Sequence, residues 1–137
     1  MIIKENTREK VSGAGEVYRI LSAILSAESE IDRDKEHFWI IGLSVKNAVK
    51  FIDLVSLGTL SNSLVHPREV FRLAVNRGVA SIIAGHNHPS GDPIPSQDDL
   101  AVTRKLRDAG EILGIILLDH VVIGDGSFVS MLEKGYL

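Results

Sequence analysis

The chain has 137 residues, enough for one domain with a hydrophobic core. Hydrophobic residues make up 45 % and charged residues 24 %, an ordinary balance for a globular fold. There is no cysteine, which excludes disulfides, thiolate metal ligands and a cysteine nucleophile, and a net charge of −3 argues against a nucleic-acid-binding surface, which carries a basic excess.

Taken in chain order, residues 14–28 place Val17, Ile20, Leu21, Ile24 and Leu25 on one helical stripe. The charged run ESEIDRDKE that follows reads as a loop. HFWIIGL (37–43) is short, apolar and aromatic, as a buried strand is, with Phe38 and Trp39 expected as core or sheet-face residues and His37 either exposed or packed. SVKN supplies a turn in which Asn47 suits a left-handed backbone. Residues 49–57 form the partner strand of a hairpin, ended by Gly58. His66-Pro67-Arg68-Glu69 reads as a helix start with Pro67 at the first position. His66 is expected as a cap or packing residue, and Arg68-Glu69 as a surface ion pair. That helix runs to Arg77, where Gly78 fits a C-terminal cap. Residues 79–85 form a β-branched strand leading into HNHPSGDPIPS, which holds three of the four prolines. Ser96 caps a helix over 97–109 with Asp99 at its third position, as in a capping box, and Gly110 closes it. Residues 112–118 and 120–123 read as two strands, and GDGS as a turn before FVSML. The order α-β-β-α-β-α-β-β-β predicts a mixed α/β fold, with helices packed on a central, largely antiparallel sheet.

The chemistry concentrates in one segment. His86 and His88 leave a strand in extended geometry, and side chains at i and i+2 point to the same side. Asp99 follows eleven residues after His88, across a stretch stiffened by prolines. Two histidines and a carboxylate make a catalytic zinc set that leaves a fourth position for water. The residues alone leave another reading open, in which Asp99 is a carboxylate at a helix N-terminus, Ser96 is only a cap and the histidine pair is unrelated. His120, after Asp119, reads as structural, with orientation of a site group as the alternative. Gly85 and Gly91 are expected to permit tight backbone geometry near such a site. The spelling HNH carries no weight, because nucleases of that name space the three letters widely. Zinc nucleobase deaminases need cysteine ligands, which this chain lacks.

The segment HNHPSGDPIPSQDD resembles the JAMM signature of the JAB/MPN metalloproteases, H-x-H-P-S-G followed by S-x-x-D, and is most similar to the RadC-like branch. The resemblance extends from about Glu36 to Leu137 through EHFWIIGL, GTLSNSLVHPREVF and LLDHVVIG. It implies a JAB/MPN-like sheet flanked by helices over 36–137, with residues 1–35 a helix and loop packed on it in a single globular unit. It implies Zn2+ held by His86, His88 and Asp99. It implies Ser96 as oxyanion partner and Glu36 as the general base that activates zinc-bound water, with Glu28, Glu30 and Glu69 as rivals for the base. The activity so implied is hydrolysis of a peptide or isopeptide bond in an unidentified peptide or protein substrate. The alternative is a non-catalytic DNA-repair accessory or protein-binding scaffold, as the RadC name suggests. Longer RadC-like proteins carry a helix-hairpin-helix domain, and the residues before Glu36 lack room for one, so a short form is expected. No apolar run approaches the roughly 18 residues of a membrane span. The start, MIIKENTREKVSG, lacks the apolar stretch of about 7–15 residues of a secretory signal, and a cytoplasmic protein is expected. Oligomeric state is not encoded legibly.

Overall fold

The structure is a computed structural model that describes residues 1–58, 60–61 and 63–137. Its elements are β1 (Ile2–Glu5), α1 (Ala14–Ser26), α2 (Glu30–Arg33), β2 (His37–Leu43), β3 (Val49–Leu57), α3 (Pro67–Arg77), β4 (Ser81–Asn87), α4 (Gln97–Leu113), β5 (Ile116–Ile123) and β6 (Phe128–Ser130). The strands form one six-stranded sheet in the order β1-β3-β2-β4-β5-β6, in which only β4 and β5 run parallel. This is the mixed, mostly antiparallel α/β class that the residue pattern predicts. No helix among the described residues is long and apolar enough to cross a membrane.

Alternation along the strands produces two cores. Phe38 and Ile40 of β2 and Ile82 and Ala84 of β4 pack with Val70, Phe71 and Ala74 of α3 and Val102 and Leu106 of α4. Trp39, Ile41 and Leu43, together with Ile83, pack on the other face with Val17, Ile20, Leu21 and Ile24 of α1. Every residue of β2 and of β4 is buried, because helices cover both faces of these strands. Asn47 turns the β2–β3 hairpin at φ 61° and Gly78 caps α3 in the left-handed region.

Several expected boundaries are corrected. β1 pairs with β3 at the sheet edge, although the N-terminus carries no clear strand signal. The charged run after α1 contains the one-turn helix α2, because Ser29 caps it by accepting from the Asp32 N–H. α4 continues through Gly110 to Leu113 and is capped by Gly114 instead. Gly110 is small for another reason: a Cβ there would lie 2.3 Å from the Ile115 carbonyl oxygen. Arg68 and Glu69, adjacent in the first turn of α3, form no ion pair among the described residues. Successive helix positions point in different directions.

The two strands expected over 112–123 are one strand with a bulge. β4 and β5 pair Ile82 with Leu117 and then Ile83 with Asp119, so one residue of β5 is extra. Leu118 and Asp119 accordingly face the same side, lining a cavity with Val17 and Ile83 on the α1 side of the sheet. The bulge reverses the alternation. Leu117 packs with the α3 and α4 core, and after the bulge it is His120 that turns toward α4. The polar pair Asp119-His120 continues the strand because both side chains find partners. Asp119 accepts from the His120 N–H, the Ser130 hydroxyl and the Leu132 N–H at 2.7, 2.6 and 3.0 Å.

Candidate metal centre

β4 runs two residues further than expected and ends at Asn87, so His86 lies inside the sheet and His88 just beyond it. Pairing with Phe38 of β2 and Val122 of β5 holds His86 on both sides, and its side chain is fully buried. The His88 N–H continues the β5 ladder by donating to the Ile123 carbonyl at 2.8 Å. Its Nδ1 faces the Asp92 carbonyl at 2.8 Å, which presents Nε2 to the site. Alternation places the two imidazoles on the α4 side of the sheet.

Asp99 reaches them from α4. Ser96 and Asp99 form a reciprocal capping box, with Asp99 N–H donating to Ser96 Oγ at 3.0 Å and Ser96 N–H donating to Asp99 Oδ2 at 2.8 Å. The same Oδ2 stands 2.9 Å from His88 Nε2 and 3.3 Å from His86 Nε2, and the two nitrogens are 3.0 Å apart. Bonds of about 2.0–2.1 Å to a tetrahedral zinc would set ligand atoms roughly 3.3–3.4 Å apart. One side of the observed triangle matches that spacing and the other two are a few tenths of an ångström tighter, so the three atoms fit one such ion with a small outward adjustment. All three donors are the nitrogen and oxygen types that zinc accepts.

The electrostatics show how strongly these groups couple. Burial pushes the Asp99 carboxyl toward its neutral form, but hydrogen bonds from His86 and His88 outweigh it and hold the group well below the usual carboxylate range. His88 is held more basic than usual, first by its bond to Asp99 and against the effect of burial.

Glu36 immediately precedes β2. One carboxylate oxygen of Glu36 and one ring nitrogen from each of His86 and His88 lie within 4.8 Å of one another. The Glu36 carboxylate is half-buried and is aimed by the Leu60 N–H, which donates to Oε2 at 2.9 Å. The rival glutamates lie elsewhere: Glu28 faces His37 Nε2 at 3.9 Å, Glu30 opens α2 and Glu69 sits in the first turn of α3. Ser96 is exposed beside the cluster, its Oγ accepting from the helix.

One feature escapes the sequence reading, and another falls on its alternative. Asn87, between the histidines, is buried. Its Oδ1 accepts from the His37 N–H at 2.6 Å and its Nδ2 donates to the Lys35 carbonyl at 3.0 Å. The carboxamide thus grips the backbone on both sides of Glu36, standing in for a peptide group of the β2–β4 ladder. His120 is the second. Fully buried, it approaches His86 Nδ1 with Nε2 at 2.7 Å and Thr103 Oγ1 with Nδ1 at 2.6 Å. Of its two expected roles, the purely structural one gives way to the alternative, contact with a site group. Burial, above all, holds its imidazole neutral, well below ordinary histidine basicity.

His37 is buried and stacks on Trp39 with ring centroids 5.1 Å apart. His66 occupies the N-cap of α3 without a side-chain cap bond. Gly91 adopts φ +92° in the turn after His88. Gly85 serves the opposite face, because a Cβ there would meet Leu21 of α1 at 2.3 Å.

Comparison with known proteins gives the family. The family description "RadC-like JAB domain" matches residues 11–136. The chain belongs to that family. A UPF0758 protein of Caldanaerobacter subterraneus subsp. tengcongensis is 57 % identical over 102 residues, covering 74 % of this chain and 44 % of the relative. A UPF0758 protein of Methanococcoides burtonii is 44 % identical over 136 residues, covering 99 % of this chain and 57 % of the relative. The chain spans about half the length of these curated RadC-like relatives.

Proposed function

We propose that this RadC-like JAB domain is a zinc-dependent hydrolase of peptide or isopeptide bonds, with His86, His88 and Asp99 as ligands and Glu36 as general base. The observation that carries the reading is the triangle of His86 Nε2, His88 Nε2 and Asp99 Oδ2 with the Glu36 carboxylate beside it. Zinc held there would supply an acidified water and polarise a carbonyl oxygen. Of the two carboxylates, Asp99 stands at ligand spacing and is locked to the start of α4. Glu36 hangs from a different strand and is held through one oxygen by the Leu60 N–H, and among the described residues its other oxygen accepts no hydrogen bond, so it can take the proton of an attacking water. The same carboxyl then returns that proton to the leaving nitrogen. Ser96 Oγ accepts from the Asp99 N–H, and a hydroxyl that accepts can still donate, so its hydrogen is available to a developing oxyanion.

Glu36→Gln is the direct test, read by metal analysis and by cleavage of a mixed panel of fluorogenic peptides and lysine-linked isopeptides. The expected result is that the variant keeps one zinc per chain and loses at least about 100-fold in turnover, the scale of general-base catalysis. Full activity in the variant would remove Glu36 from the role. A chain that takes up no zinc would favour the scaffold reading instead.

A further inference from the structure

We propose that Thr103 and His120 are positioning residues that hold His86 in the one ring tautomer able to bind metal, an inference that rests on the zinc reading above. The three buried side chains and a backbone carbonyl form a chain that starts at one ligand and ends at another. His86 Nδ1 meets His120 Nε2 at 2.7 Å, His120 Nδ1 meets Thr103 Oγ1 at 2.6 Å, and the Thr103 hydroxyl donates to the Asp99 carbonyl at 2.8 Å. His86 and His120 are 0 % exposed and Thr103 is 1 % exposed, so water does not substitute for any link.

The direction of the protons follows from the first ligand. A metal takes the lone pair of His86 Nε2, so the ring must carry its hydrogen on Nδ1. His120 must then accept at Nε2 and carry its own hydrogen on Nδ1, and Thr103 must accept that hydrogen and donate its own. The Thr103 hydroxyl has a receiver, the Asp99 carbonyl. The competing Met131 Sδ, at 3.1 Å, is the weaker acceptor. Every link is thereby satisfied in one direction.

This arrangement differs from the usual partner of a metal-bound histidine, a carboxylate or carbonyl that can only accept. A neutral imidazole can accept or donate at Nε2, so by itself it does not dictate the tautomer of His86. The group behind it must do so. With the Thr103 oxygen removed, a hydrogen on His120 Nδ1 is buried without a partner, which is costly. The hydrogen then belongs on Nε2, where it donates to His86 Nδ1 and leaves His86 with a hydrogen on the atom facing the metal.

The test compares Thr103→Val, which keeps the shape and removes the hydroxyl, with Thr103→Ser, which keeps the hydroxyl and removes a methyl group. Zinc affinity is read by competition with a chromogenic chelator, and the melting temperature of each metal-free protein is read in parallel. The expected result is that Thr103→Val loses roughly 10- to 100-fold in zinc affinity, the range for outer partners of metal ligands. Thr103→Ser should stay within about threefold of wild type even if it melts lower, because the hydroxyl and not the packing carries the effect. Equal affinity in both variants, with zinc bound, overturns the inference and leaves the metal reading standing. A wild-type chain that binds no zinc overturns both. If Thr103→Val does not fold, long-range proton–nitrogen imidazole spectra of the zinc-loaded wild type decide the matter. Hydrogens on Nδ1 of both His86 and His120 support the assignment, and a hydrogen on His120 Nε2 overturns it.

Discussion

Asn87 illustrates how a single side chain can align two strands at the point where their ladder stops. Backbone pairing between β2 and β4 begins at Phe38 and His86, one residue inside the site. Beyond that point the Asn87 carboxamide supplies an acceptor for His37 and a donor for Lys35. Replacing Asn87 with Ala strands those two backbone groups, and a buried group left unpaired costs about 1–3 kcal/mol. The predicted outcome in equilibrium denaturation is destabilisation on that scale, with zinc uptake retained because the His86, His88 and Asp99 triangle is untouched. A change below about 0.5 kcal/mol, ordinary for a surface substitution, would show that the clamp does not matter. At this scale the motif led to His86, His88, Asp99, Ser96 and Glu36, which the fold does bring to one place. Asn87 and Thr103 are not legible, and His120 is legible only as an alternative, because their partners come from other strands or helices. Nothing near Asn87 in the chain signals that it faces residue 37, fifty positions earlier.

Elements were easiest to read where periodicity and punctuation agreed. α1, the β2–β3 hairpin and α3 each carry a clear apolar pattern with a turn or cap residue at the end. Misreadings fell where a residue type has two physical uses. Gly110 resembles a cap because glycine commonly closes helices, yet here it admits the Ile115 carbonyl against the last turns of α4. Gly110→Ala should therefore destabilise the protein, even though alanine is the better helix former. Overpacking of this kind typically costs about 1–3 kcal/mol. A chemical-denaturation midpoint at or above that of wild type would contradict the close approach. β1 escaped because it is a four-residue edge strand with little buried surface, so it offers no apolar alternation to detect. Asp119-His120 looked like a break between strands because polar pairs usually mark loops, whereas here both are buried and bonded.

Across the whole molecule, the site draws on three adjacent strands of the sheet and on the helix packed against them. β2 brings Glu36, β4 the histidines, α4 the aspartate and β5 His120, so folding and assembly of the site are one event. That linkage gives the metal-free protein a definite response to pH. The folded-state basicity of His88 is raised above its ordinary value of 6.5, chiefly by Asp99. Its contribution to stability is fully present below that value and is lost as pH rises through the higher folded value. Asp99, held below its ordinary 3.8, contributes above that value and loses its contribution only as pH falls through the lower folded one. His120, held below its ordinary value of 6.5, acts in the opposite direction and adds stability as pH rises through that value. The chelator-treated protein should therefore melt at lower temperature as pH is raised from about 7.5 to about 9, and His88→Gln should flatten that slope. Thermal unfolding followed by circular dichroism checks both statements. A slope unchanged by the substitution would detach His88 from the effect.

The bulge at Leu118 and Asp119 behaves like a frameshift written into a strand. Upstream of it odd-numbered residues belong to the α3 and α4 core, and downstream odd-numbered residues belong to the α1 core. The two halves of β5 thus obey opposite parity rules, and one added residue converts between them. Single insertions or deletions anywhere between Leu117 and His120 would exchange the inward and outward sets for the rest of the strand. A designer transplanting this sheet would need to carry the extra residue along with the histidine whose direction it sets.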